Sequence, residues 1–545
     1  MSYQSTSSVE QSQASNPSLG QTLFHHILIK KKVYNLDRCF CKSQSSGNAC
    51  SFICQNNPLN NWIAMTSNEL SAELDSYQKL LGTDKSNAAR SSSEKLAKFI
   101  NSSPLVDWSV KQLLARTSSS PFLQYGVLCH ESPATEYPIK PILLNTNVPW
   151  SAFLCGSQGS GKSHTLSCML ENCLLRHEAV GRNPNPLAGI VFHYDSSQTS
   201  GVCEAAYLSS KVKTRVLVSK SSYKKLRSQY LNMASKVNGN LTVEQLEIHP
   251  SHLDTARVKT LMAVGTDTDM PLYMHTILKI LRDMAIESGG EDRFDYRVFK
   301  NKLTKQGFME KQTPAVKMRL DLLESFLDVT ANTKTRDLLK GESGVLTIID
   351  LTDPVIDADT ACVLFDICLS IFMSQTRRGT IVALDEAHNY MSESSSAAGQ
   401  FTGRLLKTVR EQRHQGARVV IATQEPTINT ALLDLCSITM VHRCTSPAWF
   451  AVLKKHVAGL HMQQTDNESE QDGSDTPGAN ERGNEIFRQI VQLKLGESLL
   501  FCPMAAVGFD ERGELQRMNH RFMKVKTRDR VTNDGGVSKL AGDGY

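Results

Sequence analysis

The chain has 545 residues, 40% apolar and 21% charged, close to the averages for soluble globular domains. Those proportions exclude a collagen-like, a largely disordered or a disulfide-scaffold chain, and leave room for about two to four domains. The net charge of +5, from 60 basic and 55 acidic residues, is too small to argue for nucleic acid by itself, and 14 cysteines scattered among apolar residues fit buried thiols of a reducing compartment. Residues 1–67 open Ser/Gln-rich and are expected to be largely disordered. They carry a crowded set of cysteines, Cys39, Cys41, Cys50 and Cys54, whose C-x-C and C-x3-C spacings fit no common zinc site and read as a loop with free thiols. No basic run followed by an apolar block marks a secretory signal. The longest apolar stretch, Ala361–Met373, is short for a membrane span and contains Asp366, so an intracellular protein, in cytoplasm or nucleus, is expected.

Residues 68–140 show weak helical periodicity with Ser-rich breaks, a poorly defined region. From Pro141 onward short apolar runs recur: Ala152–Leu154, Ile190–Tyr194, Arg215–Val218, Val345–Asp350, Thr380–Leu384, Val419–Ala422, Ile438–His442 and Ser498–Phe501. Helical stretches separate several of them, which predicts an α/β fold with a mostly parallel sheet. Residues 141–221 and 337–510 read as two parts of one such core. Residues 222–336 break the rhythm: Met274, Ile277, Leu278, Leu281 and Met284 follow helical spacing, and Thr313-Pro314 reads as a helix start, so a helical insertion is predicted. Residues 463–484 read as a disordered loop and 511–545 as a basic tail with Arg512, Arg517, Arg521, Lys524, Lys526, Arg528 and Arg530.

The strongest local signal is GSQGSGKS, residues Gly156, Ser157, Gln158, Gly159, Ser160, Gly161, Lys162 and Ser163, between an apolar run and a helical pattern that opens at His164. It matches the phosphate-binding pattern G-x-x-x-x-G-K-[ST]. Glycines let the backbone curl so that N–H groups face phosphate, and the helix N-terminus adds partial positive charge. Lys162 is expected at the β- and γ-phosphates, the Ser163 hydroxyl on Mg²⁺, and His164 at the border of the nucleotide site. The run IVALDEAH supplies the partner acids at a strand end: Asp385 for Mg²⁺, and Glu386 as general base toward the attacking water. In GARVVIATQEP, Gln424 follows another apolar run and is a candidate sensor of the γ-phosphate or of that water.

Together these segments resemble the HerA–FtsK branch of P-loop ATPases over about Pro141 to Pro503. The resemblance rests on GSQGSGKS, HYDSSQ, IVALDEAHNYM, VREQRHQGARVVIATQEP and LKLGESLLF, and on the roughly 220 residues between Ser163 and Asp385. Asp195 matches the family's acid after the second strand; Arg413, His414 and Gly416 match its Arg-His-x-Gly pattern. The resemblance implies a RecA-like P-loop NTPase core with a helical insertion between the Walker motifs. It also implies ATP and Mg²⁺ as ligands and assembly into a ring, usually a homo-hexamer. An arginine from one subunit would complete the neighbour's site, with Arg413 and Arg443 as candidates. The N-terminal β-barrel common in the family has no counterpart in any clear run of alternating strands before residue 140.

The implied activity is ATP hydrolysis driving a ring motor, with double-stranded DNA as cargo. Three other readings stand beside it. A secretion or assembly ATPase would use the same core on protein cargo. A superfamily 2 helicase is suggested by the DEAH run, but that class needs a second RecA-like domain with an Arg-rich Q-x-x-G-R-x-G-R motif, which the sequence lacks. A nucleotide-binding scaffold with little turnover would not require Lys162, Asp385 and Glu386. The basic run Lys211, Lys213, Arg215, Lys220, Lys224, Lys225 and Arg227 contains no acid; it reads equally as sequence-independent phosphate contacts or as a solvated face.

Overall fold

The computed structural model describes residues 96–117, 123–134, 137–197, 201–262, 272–289, 294–306, 313–328, 337–376, 379–392, 395–425, 428–457, 485–511 and 514–536. The cysteine cluster before residue 67 and the polar loop 463–484 lie outside them. In chain order the strands are β1 (Leu105–Asp107), β2 (Tyr125–Glu131), β3 (Pro141–Leu144), β4 (Ser151–Cys155), β5 (Gly181–Arg182), β6 (Ala188–His193), β7 (Lys213–Val218), β8 (Leu241–Gln245), β9 (Val345–Asp350), β10 (Thr380–Leu384), β11 (Ala417–Thr423), β12 (Ile438–His442), β13 (Glu497–Phe501), β14 (Ala506–Phe509), β15 (Leu515–Arg517) and β16 (Met523–Thr527).

The parallel part of the sheet runs β12-β4-β11-β10-β6-β9-β7-β8. Its inner strands are unbroken apolar runs because helices or loops cover both faces, so no alternation with polar residues is required. Residues of β4, β6, β10 and β11 are buried throughout. Even-numbered and odd-numbered positions along β10 and β11 feed two separate apolar cores. Phe192, Val382, Leu384 and Ile421 face one with the helices Ala358–Gln375 and Ser396–Arg410. Val191, Ile381, Ala383 and Val420 face the other with the helix Lys162–Leu174.

Three boundaries differ from those expected. The helix Tyr223–Lys236 is followed by β8, which pairs in parallel with β7, so this stretch belongs to the sheet and the helical insertion begins only after Gln245. The sequence LTVEQ of β8 hides the strand because only Val243 is buried on this edge. Helices Thr255–Met262, Leu272–Glu287, Tyr296–Lys305 and Thr313–Ser325 form the insertion proper. Residues 105–131, expected as weakly helical, supply β1 and β2, separated by the helix Trp108–Thr117. Their signal is weak because β1 is three residues long and β2 carries a register shift between Val127 and Cys129 that breaks the alternation. The basic tail also enters the sheet: β16 pairs antiparallel with β13 and β2, and β15 with β14. A mainly antiparallel wing, with β1 and β14 paired in parallel, is built from both ends of the described chain and extends the parallel core past β12.

The helix Ala358–Gln375 is long and apolar enough to cross a membrane by length and composition alone. Here it lies inside the first core, and Asp366, within it, accepts from Arg404 Nη2 at 2.9 Å. At its middle, Phe365 has no exposed surface and meets the rings of Phe192 at 4.9 Å and Tyr390 at 5.1 Å. These two partners lie on β6 and just after β10, the strands that carry the acidic residues. Truncating Phe365→Ala is therefore expected to remove about 3–5 kcal/mol of stability, read as a fall in the urea midpoint; an unchanged midpoint would contradict this packing role.

Candidate nucleotide site

Parallel pairing fixes which residues share a level. Val441, Cys155, Thr423 and Ala422 lie at neighbouring ends of β12, β4 and β11. Leu384 of β10 is level with Ile421 and with Phe192 of β6, and His193 is level with Asp350 of β9. The phosphate loop, the Asp385–Glu386 pair, Gln424 and Asp195 therefore emerge at one edge of the sheet. Gly156 follows β4, Asp385 and Glu386 follow β10, Gln424 follows β11 and Asp195 follows the end of β6. The β11 strand separates the phosphate-loop strand from the acid strand.

The loop turns through left-handed glycines. Gly156 has φ +152, and a Cβ there would stand 2.7 Å from the His442 Cβ; Gly161 has φ +105, with Gly496 backbone 3.0 Å from its would-be Cβ. Only glycine fits both demands at these two positions. Ser157 N–H donates to Arg443 O at 2.8 Å and Gly496 N–H to Ser160 O at 3.4 Å, so strand ends on the far side of β4 wall the loop. Gly161 is the N-cap of the helix Lys162–Leu174 and no side chain caps its first turn, which leaves that end suited to an anion. Lys162 is buried, and its Nζ donates to Ser157 O at 3.2 Å. Burial pushes its pKa down, opposed by the nearby charges of Glu386 and Asp385.

Asp385 is buried, and burial pushes its carboxyl up to about 6 against the opposing pull of His193. Glu386 takes the left-handed conformation, φ +47, which costs a non-glycine residue roughly 1–2 kcal/mol. That kink ends the strand geometry between the two acids and turns Glu386 to the half-exposed side, where Gln424 Nε2 donates to its Oε2 at 3.2 Å. His388 Nδ1 lies 3.4 Å from the same oxygen, and burial pushes that imidazole down. Asp385 Oδ1 and Ser160 Oγ are buried with no hydrogen-bond partner among the described residues. Orphaned oxygens in a lysine-bearing phosphate loop fit an arriving Mg²⁺–nucleotide, with Ser163 and Asp385 as the residues that would hold the metal.

Other expected residues are placed differently. His164 points away from the loop: its ring nitrogens meet Arg528 O at 2.9 Å and Asp534 at 3.3 Å. Arg443 is exposed but borders its own loop, whereas Arg413 is exposed near the start of β11, at the opposite edge of the sheet. The basic run does not form one surface. Arg215 is buried against Leu338 O and Glu342, while Lys220, Lys224 and Arg227 lie past the other end of β7, with Lys220 paired to Glu247 at 3.0 Å. Most tail cations are likewise taken up: Lys524 by Glu497 at 3.0 Å, Arg528 by Glu171 at 2.7 Å, Arg530 by Glu204 at 2.7 Å, and Arg517 over the Phe99 ring.

Sequence reasoning missed two supports. His442 is fully buried against the loop and meets Thr165 Oγ1 at 3.3 Å; burial, with Lys162 adding, pushes it down to about 3, so it adds no charge beside the lysine. Glu171, fully buried in the phosphate-loop helix, is held by Arg528 and by the Thr532 N–H at 2.9 Å and hydroxyl at 2.5 Å. A Glu in the middle of an apolar helix face was the available signal for this strap.

The site and sheet have the geometry of a P-loop nucleotide site. No family model matches the chain and no curated protein is significantly similar to it. Among solved structures it is similar to VirB4 of Thermoanaerobacter pseudethanolicus, 12% identical, over 75% of this chain and 97% of that one, with a TM-score of 0.43. It is also similar to the plasmid coupling protein TrwB in complex with a non-hydrolysable ATP analogue, 11% identical over 71% and 87%, TM-score 0.39. A third is the genome packaging NTPase B204 from Sulfolobus turreted icosahedral virus 2 in complex with ATP-gammaS, 8% identical over 69% and 97%, TM-score 0.26.

Because Glu171 has no access to water, removing its cation leaves an uncompensated buried charge. Arg528→Ala should cost about 3 kcal/mol in urea unfolding; a wild-type denaturation curve would show that Thr532 alone holds the strap.

Proposed function

We propose that the protein is an ATP-hydrolysing motor of the HerA–FtsK kind, working as a homo-oligomeric ring on double-stranded DNA. The observation that carries hydrolysis is the pairing of Gln424 with a kinked Glu386, one strand removed from the phosphate loop. A carboxylate meant only to bind metal would not need to be turned out of line with its neighbour and fixed by an amide.

In this reading the loop and Lys162 cradle the β- and γ-phosphates. Glu386 accepts the proton of the attacking water, and Gln424 holds that carboxylate in place. Ser163 and Asp385 would hold Mg²⁺, which would neutralise charge on the phosphates. A second RecA-like sheet, which a superfamily 2 helicase requires, is absent among the described residues, so the helicase reading is not favoured. The DNA cargo rests on the motif resemblance, since most of the cations first considered for phosphate contact pair within the chain. Lys224 and Arg227, exposed at the loop edge, are the contacts this reading retains.

Lys162→Ala should lose nucleotide binding. Glu386→Gln should bind ATP but turn it over about 100-fold more slowly, the scale of a lost general base. Turnover of the parent is measured with duplex DNA, single strands and RNA at low salt. Stimulation by duplex alone supports the cargo, and equal rates with all three reject it. Normal turnover in Glu386→Gln would reject the mechanism.

The arginine completing a neighbour's site in a head-to-tail ring has to leave from a surface other than its own loop edge. Arg413 meets that condition and Arg443 does not. Arg413→Ala should keep ATP binding and lose at least about 1000-fold in turnover, and mixing it with the Lys162→Ala protein should restore part of the activity at shared interfaces. Turnover lost only in Arg443→Ala would reverse the assignment.

A further inference from the structure

At the end of the acid strand, Asp385 meets two further donors, His193 and Cys203, that hydrolysis does not use. His193 closes β6 and Asp385 directly follows β10. Since Leu384 is level with Phe192, these next residues stand side by side and project to the same face. Cys203 reaches the same point from the segment after β6, its backbone N–H fixed by the Tyr230 hydroxyl at 3.0 Å. All three side chains are buried. The Asp385 Oδ2 atom is 3.8 Å from His193 Nδ1 and 3.9 Å from Cys203 Sγ, and the three donor atoms lie within 4.8 Å of one another.

As a purely structural cluster this arrangement is unfavourable. Neither nitrogen of His193 has a hydrogen-bond partner among the described residues, and Asp385 Oδ1 has none. Leaving buried polar atoms unpaired costs roughly 1–3 kcal/mol each. The spacing is instead close to that of a coordination shell. With metal–sulfur bonds of about 2.3 Å and metal–nitrogen or –oxygen bonds of about 2.0 Å, tetrahedral donors sit roughly 3.3–3.5 Å apart. The two separations from Asp385 Oδ2 exceed that spacing by about half an ångström, and the third by no more than about 1.3 Å.

We propose that His193, Cys203 and Asp385 form a Zn²⁺ site. Thiolate, imidazole and carboxylate together suit zinc, whereas Mg²⁺ takes oxygen donors. On binding, the Cys203 thiol gives its proton to solvent as the zinc–sulfur bond forms, His193 uses a neutral-ring lone pair, and Asp385 supplies an anionic oxygen, so the three-ligand site carries no net charge. Three protein ligands leave one position for water. Zinc held here occupies the carboxylate that ATP hydrolysis needs, so the site is inhibitory; that second step rests on Asp385 being the Mg²⁺-side acid, while zinc binding does not.

The test uses the full chain with Cys39, Cys41, Cys50 and Cys54 changed to Ser, so that those thiols do not contribute. Zinc is titrated against a chromogenic chelator, and Co²⁺ is added separately for its thiolate charge-transfer absorption. The parent should bind one zinc equivalent more than either Cys203→Ala or His193→Gln, show the cobalt–thiolate band, and melt at higher temperature with zinc. Both variants should lose the band and the zinc-dependent shift while keeping a cooperative metal-free transition. If either variant fails to fold, the other decides. Equal zinc stoichiometry in parent and variants, or a cobalt band that survives Cys203→Ala, would overturn the site. ATP turnover should fall with zinc occupancy in the parent and not in Cys203→Ala. Zinc bound at one equivalent without loss of turnover would leave the site standing and overturn the inhibition, together with the role given to Asp385.

Discussion

The in-register pairing of parallel strands around β4 is the constraint from which the rest follows. Parallel strands pair evenly and all run the same way, so their exits collect at one edge. Residues as far apart in sequence as Gly156, Asp385 and Gln424 meet because β4, β11 and β10 are level to within two residues at their ends. A slip of one position in any of these strands would send every side chain on it to the opposite core. The two apolar clusters penalise such a slip: Ile381 and Ala383 pack on one side, Val382 and Leu384 on the other. Site precision is thus a by-product of core packing on both faces.

Where the regular backbone stops, strain begins. The phosphate loop and the Asp385–Glu386 step both depart from ordinary helix or strand torsions within two residues of a buried strand end. The strand anchors the departure, which lets a costly conformation persist. On the far side of β4, the residues after β12 and before β13 press backbone against the loop through Arg443 and Gly496. The loop is therefore held from three sides before any ligand arrives, and the neutral His442 fills the remaining contact without repelling Lys162.

The features legible in sequence were those whose cause is local. The glycine spacing of the phosphate loop, the apolar run ahead of Asp385 and the one ahead of Gln424 each carry their own explanation, and the structure brings them together. The features that stayed hidden have non-local causes. Strands β1, β2 and β16 are short or polar, and each finds a partner from the opposite end of the chain, while the three-residue β15 pairs with its sequence neighbour β14. The basic run from Lys211 looked uniform because its acidic partners, Glu247 and Glu342, lie far along the sequence. His193 read as one more residue of a strand, since nothing nearby announces that Cys203 and Asp385 will face it.

The strap over Glu171 ties the order of synthesis to competence. The carboxylate and the residues that neutralise it, Arg528 and Thr532, are about 360 positions apart, so a ribosome must add most of the chain before that helix face can be closed. Until then the turn-and-helix unit carries a charge it has no means to neutralise. Chains interrupted before the last strand would accordingly keep an unneutralised carboxylate in the helix that follows the phosphate loop.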